Sequence, residues 1–359
     1  MNRRTMLIGA GGVTVLGVGL FGWRSAVCST DDYARYAAAL RAPPGPEIAD
    51  LIRCATLAAN GHNTQPWRFH AGEGAIDILP DPARATPVVD PDDHHLFVSL
   101  GCAAENLAIA GAATGRPGVL KTNADGSLRY SFSPAEPQPT PLLAAIAKRQ
   151  STRAAYDRRP VPAGDIEALQ RAGEVEGVRL VILTERSRID RLRDLVVAGN
   201  DAQMRDPAFL AELKQWLRFN PQSAIRMGDG LYAAASGNPT LPDWLGPRAF
   251  DLFVTPASEN DKYARHIDSS AGIAIFLAER ADRAHWVKVG RACQRFALTA
   301  TALGLKLAFV NQPVEVAGLR SELAALAGEA GLRPDIVMRF GYGPTLPFSP
   351  RRPVSAVTR

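Results

Sequence analysis

Small and apolar side chains recur at helical spacing between residues 100 and 115, where Ala103, Ala104, Leu107, Ala108, Gly111 and Thr114 share one face. The same face returns at an offset of 189 residues as Ala292, Cys293, Phe296, Ala297, Ala300 and Leu303. At that offset Gly101, Ala103, Ala108, Ala113 and Gly115 are identical to Gly290, Ala292, Ala297, Ala302 and Gly304. Each stretch ends at a glycine suited to a helix C-terminus and then feeds an apolar, strand-like run. The pattern predicts two related, closely packed helices in a duplicated chain. Two copies at so long a period make a pseudo-dimer rather than a solenoid.

Elsewhere the periodicity predicts helices over residues 47–59, 141–149 and 163–172, and a short hairpin from 67–71 and 75–79. Two strands are expected within 119–133 around Asn123-Ala-Asp-Gly126, and further strands over 178–184, 273–277 and 336–340. Helical segments should continue from the 178–184 strand to about Phe219. Residues 228–265, rich in Gly, Pro and aromatics, read as a long ordered loop. Helices and strands in mixed order make the fold class α+β. The expected organisation is a leader over 1–28, a first half over 29–135 and a second half over 136–359. The second half carries an insertion at about 186–265, whose Phe209, Trp216, Phe219, Tyr232, Trp244, Phe250 and Phe253 fit a lid or a packing layer equally.

Composition narrows the partners. At 359 residues and 46% apolar, the chain can bury one large core or two smaller ones. The net charge of +5 comes from dispersed Arg, which argues against nucleic acid and suits a small anionic ligand such as a phosphate. Cys28, Cys54, Cys102 and Cys293 form no CxxC pair, so no metal site is assigned and a disulfide stays open. Arg3-Arg4 before the apolar, Gly-rich run Met6–Phe21 is the twin-arginine export pattern, with a weak cleavage site at Ser25-Ala26-Val27. The expected location is therefore periplasmic, or anchored to the outer side of the inner membrane by an uncleaved leader. Gly9-Ala10-Gly11-Gly12 is no dinucleotide fingerprint, because no strand precedes it and Thr14 holds the third glycine's place.

Three segments carry candidate chemistry. His62-Asn63-Thr64-Gln65-Pro66-Trp67 brings amides that can meet the edge of a flat heteroaromatic ring; alone, it fits a plain loop with a buried Trp just as well. Arg149-Gln150-Ser151-Thr152-Arg153 can hold a phosphate between two guanidinium groups, or can simply face solvent at a helix end. Ser349-Pro350-Arg351-Arg352-Pro353 is a basic tail, with or without a ligand.

Together the three resemble the FMN-binding nitroreductase family, over roughly residues 45–355, and most of all its internally duplicated, Acg-type branch. There, an Arg-x-Ser-x-Arg element and a C-terminal basic residue hold the FMN phosphate, and a Ser-x-Asn-x-Gln-Pro-Trp-like loop from the other subunit lies beside the flavin. This chain has one Asn-x-Gln-Pro-Trp and one Arg-x-Ser-x-Arg, as a fused dimer with a single flavin site would. The resemblance implies that Arg149, Ser151 and Arg153, with Arg351 or Arg352, bind phosphate and ribityl oxygens. It places Asn63, Gln65, His62, Thr64 and Pro66 at the ring, and Asn311-Gln312 near its reactive edge. His62 departs from the small or hydroxyl residue usual there. No protein residue is assigned as catalytic, since the chemistry belongs to flavin N5.

The implied activity is ping-pong reduction of a small electron-poor acceptor, a nitro compound or quinone. The donor is NAD(P)H, a quinol or a redox protein. The alternative is an exported protein that binds or sequesters flavin without turnover.

Overall fold

The computed structural model describes residues 29–358, so the expected leader lies outside the described residues. In chain order the first part runs α1 (Thr30–Leu40), α2 (Ile48–Thr56), β1 (Trp67–Gly72), β2 (Ala75–Pro80), α3 (His94–Ala113), β3 (Gly118–Thr122) and β4 (Leu128–Phe132). A linking helix α4 (Pro141–Lys148) leads to α5 (Ala163–Ala172) and β5 (Val178–Leu183). Next come α6 (Arg186–Met204), α7 (Pro207–Gln215), β6 (Leu217–Arg218), α8 (Pro221–Met227), β7 (Leu231–Tyr232), α9 (Gly246–Phe253) and α10 (Pro256–Asp268). The chain closes with β8 (Gly272–Ala278), α11 (Arg283–Ala302), β9 (Lys306–Phe309), the one-turn α12 (Gln312–Glu315), α13 (Arg320–Ala327) and β10 (Arg333–Gly341).

The two main sheets repeat one topology. Each is four-stranded and antiparallel, in the orders β1-β2-β4-β3 and β5-β8-β10-β9, with a long helix between its second and third strands in sequence. They differ in one connection. β1 and β2 meet at the turn Glu73-Gly74, whereas β5 and β8 are separated by residues 184–271, the observed extent of the insertion.

The related helices α3 and α11 pack against each other at the centre, where their matched glycines meet. A Cβ on Gly101 would stand 2.0 Å from the Val287 carbonyl oxygen, and one on Gly290 would stand 2.0 Å from that of Val98. The reciprocity marks a local two-fold relation, and it recurs one turn on. Glu105 accepts from Arg291 and Arg295, while Gln294 donates to Asn106 at 2.8 Å. A continuous core spans both sheets and this crossing, and a second core lies between the β5–β8–β10 face and α6, α10 and α13. Cys54, Cys102 and Cys293 are free thiols within the first core.

The segment read as an ordered loop over 228–265 instead contains α9 and most of α10. Proline opens α9 and α10 in the first turn, where its missing N–H costs nothing, and Thr255 with Ser258 forms a capping box. Four further helices, α1, α8, the one-turn α12 and α13, were not expected from the periodicity.

Candidate functional site

The Asn63–Trp67 loop is held in an uncommon conformation. His62, Asn63 and Gln65 all have positive φ, at 47°, 54° and 55°, a strain that persists only where surroundings enforce it. Here the loop's own amides enforce it. Asn63 Nδ2 donates to the Gly230 and Pro350 carbonyls at 3.0 Å each, and its Oδ1 accepts from Arg351 at 2.7 Å. Gln65 Nε2 donates to the Gly228 carbonyl at 2.8 Å, and its Oε1 accepts from the Arg352 N–H at 2.9 Å. Thr64 is buried and its carbonyl accepts from Arg84; the Pro66 carbonyl accepts from the Asp81 N–H at 3.0 Å. The amides expected at a ring edge are thus committed to protein. They fasten this loop to the insertion and to the C-terminal segment, leaving His62 and the loop backbone as its presenting surface.

Arg149 and Arg351 meet at the end of α2. Both donate to the Leu57 carbonyl, at 3.1 and 3.2 Å. Arg351 commits all five of its N–H groups, to the Thr56, Leu57, Ala58 and Pro350 carbonyls and to Asn63 Oδ1. It therefore caps the last carbonyls of α2 and can offer a ligand only its charge. Arg149 is the opposite case. It is 5% exposed, and its Nε and Nη1 are buried with no partner. Among the described residues neither guanidinium has a carboxylate partner, and burial pushes the pKa of both down. Arg41, at the end of α1, adds a third cation, lowered to about 10 by burial and by Arg149 against the opposing effect of Tyr33. A buried cation cluster without an anion is costly, and free N–H groups pointing into it fit an anionic ligand.

Beyond this cluster the strand-like run continues through Ser151, which bridges to Leu307, to Arg153. Arg153 makes no hydrogen bond or ion pair among the described residues and is desolvated beside Tyr263 and Tyr156. It also feels His62, which in turn feels Glu315 and His95. Glu315 closes α12, which the expected Asn311 precedes as its N-cap and the expected Gln312 begins. Asn311 Oδ1 accepts from the Val337 N–H at 2.9 Å, fixing the chain beside β10. Gln312 is buried with its Oε1 unpartnered. Arg352 turns away, donating to the Ala356 carbonyl at 2.5 Å and grouping with Arg84, Asp81 and Arg68.

The structure thus brings together the 62–66 loop, Arg149 with Arg351, and Arg153 with the 311–315 turn. Arg352 takes part only through its backbone. Sequence reasoning missed Arg41, His95, Glu315 and Arg339. Only Arg339 carried a signal, a charge inside the apolar run Ile336–Phe340; it is 1% exposed, stacks 4.0 Å from the Tyr156 ring and donates to the Thr152 and Ala154 carbonyls. An open cleft of about 590 Å³ lies beside Trp286, and another of about 420 Å³ beside Tyr342 is lined by Ala155 and Tyr156, which follow Arg153.

Comparison with known proteins bears on these residues. The model of the Nitroreductase family matches residues 146–343. A Mycobacterium tuberculosis protein provisionally named an NAD(P)H nitroreductase is 29% identical over 330 residues, covering 88% of this chain and 92% of its own length. A second protein of that organism, acg, with the same provisional activity in its name, is 23% identical over 331 residues, covering 86% and 94%. The FMN-dependent nitroreductase NfnB of Mycobacterium smegmatis, solved with NADPH, is 15% identical, with a TM-score of 0.41, over 60% of this chain and 95% of its own.

Proposed function

The chain belongs to the nitroreductase family, and from that premise we propose that it holds one FMN between its two sheet-and-helix units and works as an oxidoreductase. The observation that carries the reading is Arg149, a buried guanidinium whose Nε and Nη1 are both unpartnered, beside the saturated cation Arg351. A phosphate suits those nitrogens in hydrogen bonding and in charge. Arg149 would bind it directly, Arg351 and Arg41 would supply potential, and Ser151 and Arg153 would follow the chain of the cofactor toward its ring. His62, the strained loop backbone and the Asn311–Glu315 turn would flank the ring. Bound there, FMN would supply two-electron transfer from a donor to an electron-poor acceptor, a nitro compound or quinone, in alternating half-reactions. The names of the relatives support NAD(P)H as donor. The Arg3-Arg4 leader supports export by the twin-arginine route to the periplasmic side, where a quinol or redox protein would replace NAD(P)H.

A second reading is favoured by how covered the site is. The insertion's Gly228 and Gly230 carbonyls clamp the loop, and Arg149 is 5% exposed. A flavin so enclosed would be carried or sequestered without turnover. Purified protein separates the two readings. Bound FMN bleached by NAD(P)H or a quinol and reoxidised by a nitroarene or quinone supports the enzyme. Bleaching by dithionite alone supports the carrier, and protein without flavin contradicts both.

A further inference from the structure

Between the 62–66 loop and the 311–315 turn lies a cluster of titratable side chains that phosphate binding leaves unexplained. Glu315 lies 3.5 Å from His95 Nε2, and its second oxygen accepts from Gln203 Nε2 of α6 at 2.6 Å. His95 is fixed in the first turn of α3. Its N–H donates to Asp90 at 2.9 Å, and its Cβ stands 3.8 Å from where a Cβ on Gly61 would be. His62, next to Gly61, carries the positive φ and is coupled to Glu315, Arg153 and His95. The other charged or titratable groups facing the three are His94, whose ring lies 4.6 Å from that of His95, and Asp90, Arg153, Arg333 and Tyr263.

The electrostatics make the cluster responsive to an arriving charge. Burial opposes charge on His95, but Glu315 and Asp90 outweigh it and raise its pKa above 6.5. Burial likewise opposes ionisation of Glu315, yet His95, His62 and Gln203 hold its pKa low. Burial keeps His62 neutral. The result is a carboxylate 3.5 Å from one imidazole and within electrostatic reach of a second, on the turn and the loop that would flank the ring.

Resting on the flavin reading above, we propose that the His62–Glu315–His95 cluster is the proton reservoir of this site, taking up one proton when an electron pair enters and releasing it when the pair leaves. The balance gives such a group one proton to carry. A quinone that accepts two electrons needs two protons to become a hydroquinone. One accompanies the electron pair as hydride; the imidazolium gives the other and is left neutral. A hydride donor such as NAD(P)H returns two electrons with one proton, and water returns the second to the imidazole. Under a covering insertion, a fixed donor replaces bulk solvent.

The test is the pH dependence of the midpoint potential of FMN bound to the full chain, between pH 7 and 8.5. Two protons per electron pair give about 59 mV per pH unit and one gives about 30 mV. Wild type should follow the two-proton slope, and Glu315→Gln and His95→Gln the one-proton slope with FMN affinity retained. A one-proton slope in wild type, or variants keeping the two-proton slope, overturns the proposal. Should the variants lose FMN, ring nitrogen NMR of wild type answers the same question. At pH 7.5 a histidine of the cluster must gain a proton on flavin reduction, and an unchanged signal overturns the proposal. Protein that binds no FMN refutes the functional reading; FMN-bound protein with one-proton behaviour refutes only this inference.

Discussion

Replacing Arg149 by methionine should separate a ligand-binding guanidinium from a structural one, because the two roles predict opposite effects on the flavin-free protein. Arg149 makes one protein hydrogen bond, to the Leu57 carbonyl, and that oxygen keeps its second donor, Arg351, after the substitution. The lost bond to a charged donor costs about 1.5–3 kcal/mol, while removing two buried unpartnered nitrogens regains about 1–3 kcal/mol each. Arg149→Met should therefore leave the FMN-stripped protein between about 1 kcal/mol less and about 4 kcal/mol more stable in urea unfolding. With FMN present it forfeits two charge-assisted hydrogen bonds, about 3–6 kcal/mol, or roughly 10²- to 10⁴-fold in Kd. Quenching of FMN fluorescence reads that affinity. A flavin-free variant destabilised by more than about 3 kcal/mol, with wild-type FMN affinity, would show Arg149 to be a strut and refute the reasoning.

The neighbouring cation makes the contrasting case: Arg351→Met leaves the Thr56 carbonyl and Asn63 Oδ1 without a donor and takes one of two donors from the Leu57 and Ala58 carbonyls, so unfolding should be easier by about 3–5 kcal/mol whether or not FMN is added. Gly290→Ala drives a methyl to 2.0 Å from the Val98 oxygen, a backbone atom that cannot rotate away. The α3–α11 crossing must open, and thermal unfolding should report a loss of about 1–3 kcal/mol or more. His266 is held down to about 3 from 6.5 by burial and by the charges of Arg339, Lys262, Arg265 and Arg153. A base depressed in the folded state contributes stability above its unfolded value and loses it as pH falls from about 6.5 toward 3. His266→Gln should flatten the acid side of the stability profile in that window, and an unchanged profile would count against the assignment.

Much of the fold was legible because local signals agreed with tertiary demands. Gly101 and Gly290 appeared in the sequence as identical positions of two small-residue stripes, and they are where the backbones touch. The helix over 163–172 and the hairpin at Glu73-Gly74 followed from periodicity and turn chemistry. The insertion was harder. Its helices are short and amphipathic around Phe250 and Tyr263, and Gly and Pro, which usually interrupt, here begin helices.

The candidate site was legible by segment but not by atom. The sequence identified Asn63 and Gln65 by their residue type, yet only the tertiary structure reveals that backbone carbonyls at 228, 230 and 350 occupy their amides. Arg149 and Arg351 looked alike in sequence and differ wholly in what their nitrogens touch. His95 and Glu315 stand 220 positions apart, and no local pattern could have paired them.

The central claim is one flavin at one cation pocket shared by two halves. Equilibrium titration of the FMN-stripped full chain with FMN, counting sites per chain, tests it most directly. Wild type should bind one FMN per chain and Arg149→Met should lose that site; no binding by wild type, or two equivalent sites per chain, would contradict a single shared pocket.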